Sequence, residues 1–216
     1  MDFLDKFSVP RQVKDRKLVE KFNSTNARKL VDGVRLREAT LGPQTMKILS
    51  SLKTCITPKK KHQLRIRTHM ELNMISVLIS LLQNREADEV IIATYTLNKE
   101  AFDILLNLVE AGVIKKLRFM LASSLRFRDP KHVEYMTSKV LEHPGKIHLV
   151  FAYSHFKITL VAVQDYRYQI EGSMNYSRNN SAENLLIEEN EVQYEFDRSF
   201  LLELMIKKGR AVEVVS

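Results

Sequence analysis

Six residues on the C-terminal side of the chain have the chemistry to work on a phosphate: His155, Lys157, Gly172, Ser173, Asn175 and Glu183. A neutral imidazole attacks or takes a proton, an ammonium neutralises phosphoryl oxygens, and hydroxyl and amide groups donate hydrogen bonds to the same oxygens. His155 and Lys157 are two apart in His155-Phe-Lys-Ile-Thr-Leu-Val-Ala-Val163, which reads as a strand, so both point to one face with Thr159 after them. A turn around Gln164-Asp165-Tyr166 and a second strand-like run, Arg167 to Glu171, make an antiparallel hairpin. The hairpin returns Gly172-Ser173 and Asn175 toward the His155 end of the sheet, so a single site is geometrically possible. Each residue also has a plainer reading. A lone histidine at a strand start is often structural, Gly172-Ser173 ends a hairpin, Asn175 caps a turn, and Glu183 is a solvated strand carboxylate.

The elements that must hold these residues follow from hydrophobic period. Leu64 to Thr68 alternates as a strand, and Glu71 to Arg85 repeats Leu72, Ile75, Leu78, Ile79 and Leu82 at helical spacing. Glu89 to Leu97 is a β-branched and aromatic strand, then Lys99 to Ala111 sets Phe102, Leu105, Leu106 and Val109 on one helical face before Gly112. A third strand spans Lys116 to Ala122 and a third helix Pro130 to His143, with Asp129 as its N-cap. A fourth strand covers Lys146 to Tyr153, and strands joined through helices should lie parallel in one sheet. Beyond the hairpin, Glu183 to Ile187 supplies another strand. Tyr194 to Lys208 supplies a closing helix that should turn Phe196, Phe200, Leu201, Leu204 and Met205 inward. The methionines at 70, 74, 120 and 136 read as core filler.

Charge separates the chain into two parts. The net charge is +8, yet residues through Thr68 carry 17 Lys and Arg against 6 Asp and Glu, and the remainder carries 17 against 20. Residues 1 to about 60 read as a basic extension with short helices, broken at Pro10, Gly33, Gly42, Pro43 and Pro58; the main domain runs from 61 to 216. Such asymmetry suits a polyanion or an anionic surface, or simply a solvated face, and counterion release would make polyanion binding salt-dependent. Lys59, Lys60 and Lys61 in the extension, and Arg126, Arg128 and Lys131 around the third helix start, are the candidate phosphate-backbone contacts. Tyr166, Tyr168 and Tyr176 are candidates to stack on bases. A single cysteine, Cys55, excludes an internal disulfide and a Cys-based zinc site and suits a reducing, cytoplasmic compartment. No apolar run approaches the roughly 18 residues of a membrane-spanning helix, so no stable membrane insertion is expected.

The series His155-x-Lys157, an Asp, then Gly172-Ser173-x-Asn175 resembles the HKD signature of the phospholipase D superfamily. Asp165 precedes Gly172 by the family's interval, but seven residues separate it from Lys157 where the family usually has four, and Ala162 occupies the expected place. Either the turn is longer here or the Asp role is lost, which leaves Asp165 a structural turn residue. The resemblance covers about Leu64 to Lys208 and implies an α/β fold, a mixed sheet flanked by helices, with the basic extension outside it. It further implies phosphodiester cleavage through a phosphohistidine with neither metal nor cofactor. His155 would be the nucleophile, Lys157, Ser173 and Asn175 the phosphate ligands, and Glu183 the carboxylate that fixes the imidazole tautomer. Such chemistry uses two histidines, and single-motif members of the family assemble as two-fold homodimers, which implies the same here. The basic extension favours nucleic acid, DNA more than RNA, over a lipid headgroup. The competing reading is a non-catalytic phospholipase D-like protein that binds nucleic acid or serves assembly.

Overall fold

The structure, a computed structural model, describes residues 57–68, 74–82, 85–177, 183–208 and 210–211. Most of the basic extension, Cys55, Met70 and the first turn of the helix expected from Glu71 lie outside the described residues. Among the described residues, eight strands form one mixed sheet: β1 (Gln63–Thr68), β2 (Ala87–Thr94), β3 (Leu117–Ala122), β4 (Ile147–Ala152), β5 (Ile158–Val163), β6 (Tyr166–Gly172), β7 (Glu183–Glu189) and β8 (Arg210–Ala211). Their spatial order is β1-β7-β6-β5-β2-β3-β4-β8. Among the described residues the helices are α1 (Met74–Leu82), α2 (Lys99–Glu110), α3 (Leu125–Arg128), α4 (Pro130–Leu141) and α5 (Glu191–Lys208).

The helix-linked strands β2, β3 and β4 pair in parallel, as their connections require. β5 then joins β2 antiparallel on its other side and begins the meander β5-β6-β7, which β1 closes. The β5–β6 hairpin turns through Gln164 and Asp165, with Val163 opposite Tyr166 and Gln164 at φ 51°. β8 is a two-residue edge against Val150 and Phe151, too short to leave a periodic signal in the sequence.

Two cores sandwich the sheet. Val90, Ile92, Val161, Val163, Ile170, Leu185 and Ile187 face α1, α2 and α4, whereas Ile91, Ala93, Leu160 and Ala162 face α5. Every residue of α1 is buried, and Ser80 satisfies its hydroxyl within the helix by donating to the Ser76 carbonyl at 2.8 Å. Asn98 caps α2 by accepting from the Ala101 amide at 2.8 Å, and Asp129 caps α4 by accepting from the His132 amide at 3.1 Å, with Pro130 in the first helical turn. Gly112 leaves α2 at φ +73°, a conformation that side chains resist. Met74, Met120 and Met136 are core residues, as expected.

The inward face of α5 differs from the expectation. Tyr194, Leu201 and Met205 are buried, but Phe196 is 67% exposed and Phe200 47% exposed, and they share an outward stripe with Val192. An 18-residue helix with apolar side chains on two faces has two periodic solutions, and the sheet takes the one that includes Tyr194. The same helix is pinned to the sheet by Glu89 of β2, which accepts from Arg118 Nε and Arg198 Nε, each at 2.7 Å. Burial alone would raise the Glu89 carboxyl pKa, yet the two guanidinium groups outweigh it and leave it below the ordinary value.

Candidate active site

His155 and Lys157 lie not inside the strand but in the segment just before it, because β5 begins at Ile158 opposite Ala93. Past that pair, β2 ends at Thr94 and the ladder stops, which releases the three preceding residues of the β5 side to line the sheet end. Thr159 and Val161 fix the direction of this row. Thr159 is buried with its Oγ1 2.7 Å from Tyr176 Oη, and Val161 belongs to the core under α1 and α2.

The same end of the sheet receives the residues after β6 and before β7. Gly172 is required by proximity: a Cβ there would stand 2.2 Å from the Asn184 carbonyl oxygen and 3.0 Å from Leu185 Cα. That closeness lets the Ser173 amide donate to Asn184 O at 3.1 Å and to Asn184 Oδ1 at 3.0 Å, while the Asn184 amide donates back to Ser173 Oγ at 3.0 Å. Held in this way, Ser173 Oγ donates to Glu183 Oε2, and Glu183 is itself buried. Glu183 shares the Leu185 and Ile187 face, so it projects to the side of the sheet that carries Thr159. Asn175 is half-buried and approaches Thr94, whose hydroxyl lies 3.5 Å from its Oδ1.

All five residues expected to do chemistry lie at the same end of the sheet, where β2 and β6 end and β5 and β7 begin. Their pairings are specific. Glu183 is held by Ser173, and Asn175 by Thr94. The exposed His155 ring lies 4.6 Å from the Tyr95 ring at 45°. Tyr95 is a member that the sequence did not disclose, since nothing local reveals that the end of β2 abuts the start of β5. Behind it, the Arg128 guanidinium sits 4.4 Å over the Tyr95 ring and donates to the Tyr95 carbonyl at 3.3 Å. Arg126 stands nearby over Phe151 at 4.6 Å.

Other candidates are elsewhere. Asp165 occupies the hairpin turn at the far end of six-residue β5, roughly 20 Å from the His155 end. Lys59, Lys60 and Lys61 form the turn before β1 at that same far end, where the Lys61 amide donates to Glu189 at 2.7 Å. Tyr168 and Tyr176 are buried in the core, 0% and 2% exposed, and so are not stacking platforms. Tyr166 packs parallel to Tyr168 at 5.6 Å under Arg85. Among the described residues, no group of three or more His, Cys, Asp or Glu side chains is placed to share a metal ion. Nor, among those residues, is any helix long and apolar enough to cross a membrane.

No protein-family model and no curated protein sequence matches the chain. Solved structures do. Polyphosphate kinase from Porphyromonas gingivalis aligns over 69% of this chain and 26% of its own, at 14% identity and a TM-score of 0.50. Phosphatidylserine synthase from Haemophilus influenzae Rd KW20 aligns over 69% of this chain and 39% of its own, at 13% identity and a TM-score of 0.50. The chain thus spans about a quarter and about two-fifths of the length of these two proteins. Nuc, a phospholipase D family member from Salmonella typhimurium, aligns over 69% of this chain and 98% of its own, at 13% identity and a TM-score of 0.46. What this likeness shows is the fold: strands β2 to β4 parallel, an antiparallel meander beside them and helices on both faces, the mixed α/β architecture that the resemblance to the phospholipase D superfamily implies.

Proposed function

We propose that the protein is a phosphodiesterase that cleaves nucleic acid through a phosphohistidine on His155, without a metal, as a homodimer. The observation that carries this reading is the convergence of His155, Lys157, Ser173, Asn175 and Glu183 on one sheet end. An imidazole nitrogen attacks phosphorus and the leaving oxygen departs with a proton from a general acid; water then attacks the phosphohistidine and restores the imidazole. Lys157 offsets charge on the phosphoryl oxygens, Asn175 donates to them, and Ser173 and Glu183 form a coupled pair beside them. The acid in this scheme is His155 of a second copy, which is why a homodimer belongs to the proposal.

A second reading is favoured by one feature. Asp165 is far from the site, so the HKD-like series has only its His and Lys at this sheet end. A phosphate pocket without turnover, used for nucleic-acid binding or assembly, would need no more. Incubation of parent and His155→Ala proteins with labelled oligonucleotides in EDTA separates the two. The proposed enzyme cleaves in EDTA and the variant does not; binding without cleavage by the parent selects the second reading.

A further inference from the structure

The sheet end that holds His155 carries two large aromatic side chains turned fully to solvent. Tyr153, two residues before His155, is 102% exposed, and Phe127 in α3 is 85% exposed. Each follows one of two paired strands, β3 and β4, whose ends are joined where the Ser123 amide donates to the Ala152 carbonyl at 2.9 Å. Arg126 and Arg128 flank Phe127 in α3, and Lys131 follows in the first turn of α4. Beside them opens a cleft of about 530 Å³ between the starts of α2 and α4, bordered by Arg128, Lys131, Thr96 and Ser177. Arg128 joins this cleft to the site, because its guanidinium covers the Tyr95 ring whose neighbour is His155.

Burial of an aromatic ring ordinarily stabilises a fold, so two uncovered rings at one strand-end rim call for a partner. The partner must meet aromatic faces and cations on the same sheet-end rim that carries His155. A nucleic acid strand with unpaired bases has that pattern, one flat ring and one negative charge per residue. A duplex hides its ring faces in the stack and offers only phosphates. The cleft also has the volume of a small-ligand pocket, room for one nucleotide.

We infer that Phe127, Tyr153, Arg128 and Lys131 form a track for single-stranded nucleic acid leading to His155, with bases on the two rings and phosphates on the two cations. The inference rests on the nucleic-acid reading given above and adds which form of the polymer is recognised, and by what.

The test uses the His155→Ala protein, so that binding is read without turnover, with a fluorescent oligodeoxynucleotide, the same sequence as a duplex, and vesicles of anionic phospholipid. The full chain should bind the single strand more tightly than the duplex. Phe127→Ala and Tyr153→Ala should each weaken single-strand binding by about 5- to 150-fold and leave duplex binding, circular dichroism and sedimentation unchanged. Arg128→Ala with Lys131→Ala should flatten the salt dependence of binding by a log–log slope of about 0.7 for each cation. If the aromatic variants bind the single strand as before, or if they change the sedimentation or lose only vesicle binding, the track is wrong and the rings face a protein or a lipid surface. If the protein binds neither nucleic acid form, the nucleic-acid reading itself falls with it.

Discussion

At His155 the account requires a nucleophile exposed to substrate and a cation beside it, and the segment before β5 supplies both. His155→Ala and Lys157→Ala should therefore lower phosphodiesterase activity by about 10³-fold or more with unchanged circular dichroism, as assays on oligonucleotide substrate would read. Ser173 has a different role. Its hydroxyl donates to buried Glu183 and accepts from the Asn184 amide, so Ser173→Ala should both slow cleavage by about 10²-fold and destabilise the fold by about 1–3 kcal/mol. Thermal denaturation alongside activity distinguishes this double effect from a purely chemical one. At this scale the sequence disclosed its motif residues because they lie at fixed spacings just before β5, just after β6 and at the start of β7. It did not disclose Tyr95, 60 residues before His155, or Thr94, 81 residues before Asn175; the β2–β5 pairing and the Leu97–Tyr176 bridge bring these distant segments together.

Elements position this site by contacts that single substitutions can break. Gly172 lets β6 approach β7, and Gly172→Ala would push a methyl against the backbone of Asn184. We expect a cost of about 2 kcal/mol or more and loss of activity, since Ser173 and Glu183 would part; a denaturant midpoint equal to the parent's would contradict this. At the other end of β2, Glu89 links Arg118 of β3 to Arg198 of α5, all substantially buried. Glu89→Gln should cost about 2–4 kcal/mol near neutral pH, less than a fully buried pair because Arg198 is a third exposed. Because the folded pKa lies below the ordinary value of 4.5, this stabilisation is complete above that pH and is lost as pH falls through the lowered folded value. The difference between parent and variant should therefore shrink in acid, as denaturation near pH 7 and near pH 3 would show. The alternation of strands and helices was legible from their periods, and Asp129 from its place before Pro130. The outward turn of Phe196 and Phe200 was not legible, because Tyr194, Leu201 and Met205 offered a second apolar face on the same helix.

Across the whole molecule, the proposed phosphohistidine mechanism would need two histidines while each chain brings one such motif, so activity is expected to depend on assembly. Mixing parent with His155→Ala subunits under verified exchange should reduce activity faster than the parent fraction falls; a proportional fall would mean that each chain works alone. Charge belongs to this scale too. Deleting residues 1 to about 60, which hold most of the local basic excess, should weaken nucleic-acid binding and flatten its salt dependence, as titration at several salt concentrations would measure. Among the described residues, the ladders begin at Gln63. The most direct measurement is capture of the covalent intermediate: acid-free denaturation of the protein during turnover of a phosphate-labelled oligonucleotide in EDTA, followed by mass spectrometry. The account predicts an alkali-stable, acid-labile phosphoryl adduct on His155, absent from His155→Ala; cleavage that proceeds with no adduct, or with the label on another residue, would contradict it.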